Sequence, residues 1–191
     1  MYIKNLKLKN FRNYRDESID FGDGLNVLFG RNAQGKTNCA EAVFYLCMGV
    51  SPRSRRDKQL IRHGCEYAEI FATAEGRYGE TELYAKISES GREVRLNGTK
   101  ITKNADILGN VYGIFFSPHE LRLIQDGPDE RRRFLNVSIS QLSKPYYVAL
   151  TRYNKILEQR NNLLKDRDTA LVYDTLPVWD EQFAKYAAQV A

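Results

Sequence analysis

The chain has 191 residues, a net charge of +5 and a hydrophobic fraction of 42%. This length suits one domain or little more, and this apolar content excludes a wholly disordered chain. The three cysteines form no Cys-x-x-Cys pair, so neither a disulfide framework nor a zinc site is predicted. No apolar run reaches the ~20 residues of a membrane helix, and the N-terminus does not resemble a signal peptide. We therefore expect a soluble cytoplasmic protein, and the basic charge is compatible with nucleic-acid partners and with many enzymes.

The N-terminal quarter of the chain predicts strands followed by a helix. Residues 2–9 alternate in polarity, and Ile19 and Phe21 begin a second short strand. Residues 25–29 are almost entirely apolar, which predicts a short strand buried on both faces. Residues 35–48 have apolar side chains at helical spacing, so a helix is predicted there.

The rest of the chain changes from strand patterns to helix patterns. Residues 67–97 alternate with period two between hairpin turns, which predicts an antiparallel meander. Residues 111–116 are predicted as another apolar strand. Pro128, with acids directly after it, is typical of a helix start, and helical patterns continue over 145–166 and 176–190.

This change of pattern predicts the domain organisation. Residues 1–143, which mix strand and helix patterns, are predicted as one part of the chain, and residues 144–191, which have helix patterns only, as the beginning of a second, helical part. The last helical pattern stops without a glycine, asparagine or proline exit signal. We therefore expect a truncated chain.

A phosphate-binding loop is predicted between the apolar strand and the first helix. Its glycines allow close approach of backbone N–H groups to phosphates, its lysine supplies a cation for the β and γ phosphates, and its threonine hydroxyl suits Mg²⁺. The predicted nucleotide site comprises Gly30, Arg31, Asn32, Ala33, Gln34, Gly35, Lys36 and Thr37, with Thr37 as the metal ligand. The expected cofactors are ATP and Mg²⁺.

Hydrolysis requires a second carboxylate, which the sequence does not supply in its usual place. The best candidate strand, 111–116, is followed by Ser117 and Pro118 instead of an acid. Either the catalytic acids lie outside this chain, or hydrolysis is not its function; in both cases the chain should bind ATP but hydrolyse it poorly. Two alternatives to an ATP-switched DNA-binding protein are a small-molecule P-loop kinase and a module that binds ATP structurally. The antiparallel meander disfavours the kinase, because small kinases are built mainly from parallel sheets.

Four stretches together resemble the RecF family of SMC-like ABC ATPases. They are LKLKNFRNY, FGRNAQGKTN, SPRSRRDKQLIRHG and FSPHELRLIQDGPDERRRFLN, and the resemblance extends from residue 1 to about residue 165. It implies an α/β P-loop NTPase fold. An ABC-type ATPase head (lobe I) would carry an antiparallel β subdomain, followed by the start of an α-helical lobe II. In this family the head is assembled from both ends of the chain, with the signature motif and Walker B acids in the C-terminal half.

The resemblance also implies a function in bacterial DNA repair and replication. ATP is expected to close two heads into a homodimer that binds double-stranded and gapped DNA at junctions with single strands. With RecO and RecR, such a dimer helps to load recombinase during recombination mediation and the SOS response. A cytoplasmic location without membrane association follows from this role.

Further site residues are carried over from the same stretches. Arg12 and Asn13 lie where such heads commonly touch the nucleotide, and Arg62 and His63 are weaker candidates near the base or ribose. Asn136 departs from the family, which has an aspartate after RRRFL. Six arginines are candidates for DNA contact, although an ion-paired or solvated surface explains such runs equally well. They are Arg53, Arg55, Arg56, Arg131, Arg132 and Arg133.

Overall fold

The computed structural model has two compact units, Met1–Leu121 and Arg122–Ala191. Within them the described residues are 1–54, 56–76, 79–118, 127–165 and 169–191. The predicted boundary between residues 143 and 144 falls between two helices of the second unit. It stays a prediction.

The first unit is built on one antiparallel sheet. Its six strands are β1 (Tyr2–Lys9), β2 (Asp16–Asp20), β3 (Tyr67–Gly76), β4 (Gly79–Ser88), β5 (Gly91–Leu96) and β6 (Thr99–Ile101). They are hydrogen-bonded in the order β2-β1-β3-β4-β5-β6. The N-terminal strand and the antiparallel meander predicted from period-two patterns are thus confirmed.

One face of the sheet is buried because its side chains are apolar at every second position. Leu6, Ile70 and Ile87 are among the fully buried side chains of this face, and it packs against helix α1 (Lys36–Met48). Helix α1 confirms the helix predicted over 35–48 and is itself buried along most of its length. The phosphate-binding motif therefore precedes a helix that is held firmly in the core.

The two apolar segments predicted as strands do not form strands. Every residue of 25–29 is exposed, and Leu25 is 94% exposed. Residues 111–116 are likewise outside any strand; Val111 is buried, but Ile114 is 79% exposed. The prediction of buried strands was wrong because a strand needs hydrogen-bonding neighbours, and the six-stranded sheet does not extend to either segment.

Both segments nevertheless have apolar side chains beside α1. Phe115 lies edge-on to Phe44 of α1, with 5.9 Å between ring centroids. Leu28 and Ile114 line the same open groove, which has a volume of about 300 Å³. The groove is a half-covered apolar surface rather than a closed core.

The second unit consists of helices. They are α2 (Pro128–Leu142), α3 (Lys144–Leu163) and α4 (Thr169–Val190). Helix α2 begins with Pro128 and has acids in its first turn, as predicted, and the Ser143 side chain caps α3 by accepting a hydrogen bond from the Tyr146 amide. Helix α4 begins earlier than the predicted residue 176 and contains Pro177 in its interior.

Helices α3 and α4 pack antiparallel through aromatic and ionic contacts. The rings of Tyr153 and Phe183 have centroids 5.1 Å apart, and Arg160 Nε lies 2.5 Å from Asp180 Oδ1. Asn136 of α2, where an aspartate was expected, makes a neutral contact with α3. Its Oδ1 accepts a 2.7 Å hydrogen bond from the Tyr146 hydroxyl. Among the described helices, none combines the length and the apolar character needed to cross a membrane.

Candidate nucleotide-binding site

The loop that precedes α1 has the backbone conformation of a tight anion-binding turn. Three of its residues have positive φ: Gly30 at 143°, Ala33 at 64° and Gly35 at 103°. A Cβ at Gly35 would also lie 2.8 Å from the side-chain amide atoms of Asn13, so this side chain packs closely against the loop. The loop is therefore held in its turn by residues outside the motif.

The first turn of α1 is open to an anionic ligand. Among the described residues, no side chain caps the N-terminus of α1 at Gly35, and the first turn contains no acidic residue. The N–H groups of this turn lack helical acceptors, and they carry the positive end of the helix dipole. Phosphate oxygens suit both features.

The Lys36 ammonium group occupies the loop itself. Its Nζ donates to the carbonyl oxygens of Gly30 and Arg31, at 2.7 Å in each case. Thr37 is exposed in the first turn of α1, so its hydroxyl is accessible to a metal ion. The remaining motif residues Arg31, Asn32 and Gln34 are also exposed.

The predicted partners Arg12, Asn13 and Arg62 are brought to this loop by backbone pairing. The Arg12 amide donates to the Leu60 carbonyl, and the Arg62 amide donates to the Asn10 carbonyl, both at 2.7 Å. The Arg62 guanidinium then donates to the carbonyl of Asn13. His63, by contrast, is exposed at the turn that follows this pairing.

Two further side chains connect this segment to the phosphate loop. The Tyr14 hydroxyl donates to the Gly35 carbonyl at 3.1 Å, and Asn38 Nδ2 donates to Asn13 Oδ1 at 2.8 Å. Burial raises the pKa of the Tyr14 phenol, so the hydroxyl stays a donor at neutral pH. The N-terminal FRNY segment thus contacts the loop directly, although Tyr14 and Asn38 were not predicted as site residues.

The buried carboxylate of Glu41 pairs with two arginines near the phosphate loop. Glu41 is fully buried on α1 and accepts hydrogen bonds from Arg12 Nη2 at 2.7 Å and Ser51 Oγ at 2.6 Å. Arg53 Nη1 lies 3.3 Å from its other oxygen, and Arg12 Nη2 also donates to Ser54 Oγ. Two guanidinium groups share one carboxylate, which leaves a net positive charge beside the phosphate loop.

The sequence analysis did not single out Glu41. The available signal was a lone acid between Ala40 and Ala42 on a helix that is otherwise apolar after its first turn. Such a residue is rarely buried without a partner. Its partners come from two distant segments, around Arg12 and over residues 51–53, so the pairing could not be predicted from spacing.

The six arginines predicted as DNA contacts have different environments. Arg53 turns toward α1, where its Nη1 also donates to Asn38 Oδ1 at 2.9 Å, and Arg56 is exposed. Arg55 lies outside the described residues. On α2, Arg132 pairs with Asp129 and Arg133 lies 3.9 Å from Glu130, whereas Arg131 makes contacts of its own. DNA contact by these six residues stays a prediction.

The two cysteines of α1 are buried residues with ordinary packing roles. Burial raises the pKa of the Cys39 thiol to about 11 and that of Cys47 to about 12. Both thiols are therefore protonated at neutral pH and lack the thiolate needed for nucleophilic chemistry.

Sequence comparisons give relatives with a described role in DNA maintenance. The chain is 39% identical over 191 residues to the DNA replication and repair protein RecF of Clostridium acetobutylicum and 40% identical over 195 residues to that of Geobacillus kaustophilus. Each alignment covers 100% of this chain and 52% of the relative. The chain thus spans about half the length of these curated relatives.

Structure comparisons agree with this result. A recombination mediator protein RecF, described with ATPrS in the RecFOR pathway, superposes with a TM-score of 0.92 at 33% identity, over 99% of this chain and 52% of that chain. A RecF–ATP structure of the same pathway gives 0.89 at 32% identity over the same shares. The SMC head domain of Thermotoga maritima, 20% identical over 67% of this chain and 52% of that chain, shares the head fold with a TM-score of 0.50.

The family itself follows from a profile that covers nearly the whole chain. The profile describes an AAA domain and matches residues 5–186. The fold is that of an ABC-type ATPase head, and the RecF resemblance predicted from four sequence stretches is confirmed. This chain belongs to the AAA domain family and is a homologue of the RecF DNA replication and repair proteins over about half of their length.

Proposed function

We propose that this chain is the nucleotide-binding part of an ATP-switched DNA repair and replication protein. In the whole protein, ATP closes two heads into a homodimer that binds DNA where double and single strands meet. RecO and RecR then act with this dimer to load recombinase on gapped DNA. The observation that carries the proposal is the phosphate loop, in which Lys36, the open first turn of α1 and the Arg12–Asn13 segment converge.

ATP is the ligand that this geometry supports best. The open helix N-terminus and the loop amides suit phosphates, and the net positive charge of the Glu41 cluster favours a polyanion. The similar structures described with ATP and ATPrS support the same ligand.

Mg²⁺ fits the exposed hydroxyl of Thr37 at the start of α1. When bound, the ion would neutralise charge on the β and γ phosphates. The role of this chain is then to hold the triphosphate through backbone amides and Lys36, while the hydrolytic acids are supplied from elsewhere.

The exposed apolar segments 25–29 and 111–116 support a head completed by further chain. Neither segment belongs to a strand of the described sheet, and side chains of both already line a groove along α1. We propose that strands from the remaining half of the longer protein pair with both segments. This pairing would bury the apolar surface and fix the strand that leads into Gly30.

A lysine substitution tests the nucleotide site. Lys36→Ala should weaken MgATP binding by at least about tenfold, because a charge-assisted contact to phosphate contributes about 1.5–3 kcal/mol. Isothermal titration calorimetry of this chain measures the loss directly. Lys58→Ala, at an exposed lysine that pairs with Glu89, is the matched control and should leave the affinity unchanged. Equal affinity in both variants would refute the phosphate-loop assignment.

A DNA titration tests the switch. Fluorescence anisotropy of a gapped duplex should show salt-sensitive binding that strengthens with MgATP and is lost in Lys36→Ala. If this chain does not bind but a protein of the relatives' full length does, the DNA surface lies in the completed head. If neither binds, the proposed DNA function is wrong.

A further inference from the structure

The outer face of the sheet carries a continuous row of cationic and aromatic side chains. Strand register places Lys7 opposite Phe71, Phe71 opposite Tyr84, Tyr84 opposite Arg95, and Arg95 opposite Lys100. These five residues, here called the aromatic stripe, cross β1, β3, β4, β5 and β6. At about 4.8 Å per strand the stripe is roughly 19 Å long.

The stripe is exposed to ligands because the opposite face of the sheet packs on α1. Phe71 and Tyr84 are half-buried, and Lys7, Arg95 and Lys100 are exposed. Lys7 Nζ lies 5.9 Å from the Phe71 ring centroid, and Arg95 Cζ lies 6.0 Å from that of Tyr84. The cations are therefore placed next to the aromatic rings at which a base would stack.

A shallow cavity of about 290 Å³ lies in the centre of the stripe. It is lined by Phe71, Tyr84, Arg95, Glu82 and Gly98. Its two rings offer stacking surfaces, Arg95 offers N–H donors, and Glu82 offers an acceptor for an exocyclic amino group. Gly98 adds no side chain at the rim, so the cavity stays open. These are the chemical groups that recognise a nucleobase.

Two carboxylates beside the stripe, Glu69 and Glu93, together with Glu82 of the cavity, balance the formal charge of its three bases. Glu93 lies 2.6 Å from Arg95 and 3.7 Å from Lys100, and Glu69 accepts the Tyr84 hydroxyl at 2.6 Å. The ion pairs of Glu93 involve well-exposed bases, and such pairs contribute little and exchange readily for phosphate. A nucleic-acid phosphate would therefore displace Glu93 at Arg95 and Lys100, whereas Lys7 has no ion pair among the described residues.

We propose that the aromatic stripe binds a short stretch of single-stranded DNA, with an unpaired base in the cavity and its phosphates at Lys7, Arg95 and Lys100. Bases of a duplex are stacked on each other and cannot reach the rings, whereas unpaired bases can stack on them. The proposal rests on the proposed function, since it assigns the single strand of a gapped substrate to one face of the sheet.

A pair of substitutions at one position tests the stacking. Tyr84→Phe keeps the ring and should bind a labelled oligodeoxythymidylate as the unchanged chain does. Tyr84→Leu removes the ring and should lose about fivefold or more in affinity, as expected for one lost base–aromatic contact. Anisotropy titrations of the whole chain measure both, and thermal melting identifies any variant that fails to fold.

Photo-crosslinking tests the proposal on the unchanged chain, so its result does not depend on whether a variant folds. An oligodeoxythymidylate that carries iodouracil should crosslink to Phe71 or Tyr84 in the unchanged chain, as located by mass spectrometry of the peptides. If Tyr84→Leu binds the oligonucleotide as tightly as Tyr84→Phe, or if the crosslinks lie elsewhere, the proposal is overturned. Absence of any binding to the oligonucleotide also overturns it.

A second titration, with a gapped duplex, distinguishes failure of this proposal from failure of the proposed function. Binding of a gapped duplex with MgATP should keep its duplex component in Tyr84→Leu and lose it in Lys36→Ala. If Lys36→Ala removes ATP-dependent duplex binding while Tyr84→Leu changes nothing, the DNA switch stands and the stripe does not. A loss with Lys7→Ala but not with Tyr84→Leu would show charge attraction alone, which contradicts base stacking.

Discussion

The two apolar segments beside α1 are richer in apolar residues than the strands of the six-stranded sheet, but their surroundings differ. In β3 every second side chain, from Ala68 to Ala74, is fully buried, and both edges of the strand are hydrogen-bonded. In residues 111–116 the exposure also alternates, but the segment belongs to no strand. The strands of the sheet thus have hydrogen-bonding partners among the described residues, and the two segments belong to no strand there.

This difference shows that hydrogen-bonding neighbours, more than apolar composition, decide whether a segment becomes a buried strand. Backbone N–H and C=O groups require partners, so an apolar segment without a ladder stays at the surface, where water satisfies them. The phosphate loop lies where the two regions meet, since residues 25–29 precede it and the core helix α1 follows it.

Matched isoleucines give the largest expected contrast. Ile70→Ala, at a fully buried side chain of β3, should lower the free energy of unfolding by about 2–5 kcal/mol. Ile114→Ala, at a side chain 79% exposed, should change it by about 0.5 kcal/mol or less. Urea denaturation of the two variants measures both values. Equal losses would show that residues 111–116 are as tightly packed as the sheet.

A substitution at Glu41 tests whether ion pairs stabilise helix α1, which contacts both the sheet and the two apolar segments. Glu41→Gln should lower the free energy of unfolding by about 2 kcal/mol, because Arg12 and Arg53 then have only a neutral partner at a buried position. The value is below that of a fully buried pair, since Arg53 is 43% exposed. Thermal unfolding measures it, and Glu66→Gln at the surface is the control. A loss equal to that of the control would mean that the cluster does not stabilise α1.

The phosphate loop gives the smallest expected effect. Ala33 has φ of 64°, which costs an alanine about 1–2 kcal/mol relative to glycine, but glycine also gains freedom in the unfolded chain. Ala33→Gly should therefore stabilise the protein by about 0.5 kcal/mol. Ala40→Gly, inside α1, should instead destabilise it by about 1 kcal/mol. Chemical denaturation distinguishes the two signs, and destabilisation at both positions would contradict the strained loop.

Local patterns predicted the elements that this chain completes by itself. The alternation over 67–97 and the hairpin signals were sufficient for the meander, and the helical spacing over 35–48 for α1. The glycine–lysine–threonine spacing predicted the phosphate loop, whose role as a nucleotide site stays a prediction. Each of these signals acts over a few residues or repeats with a fixed period. The family resemblance, rather than a local pattern, predicted Arg12 and Asn13 as residues of the nucleotide site.

The rest depended on contacts between distant segments. Glu41 meets Arg12, Ser51 and Arg53, and no periodicity connects these positions. The burial of residues 25–29 was predicted wrongly, because an apolar run indicates that a segment can be buried but does not supply the strands that bury it. The aromatic stripe likewise emerged only from the register of five strands.

The hydrogen bonds of Lys36 to two loop carbonyls have a consequence for ligand choice. A ligand binds the Lys36 ammonium group only if its interaction is stronger than the two carbonyl hydrogen bonds that it replaces. The β and γ phosphates of a triphosphate meet that requirement, whereas the phosphate of a monophosphate does not reach the same place. Under the proposed nucleotide-binding function, the two hydrogen bonds of Lys36 would therefore favour triphosphates over monophosphates.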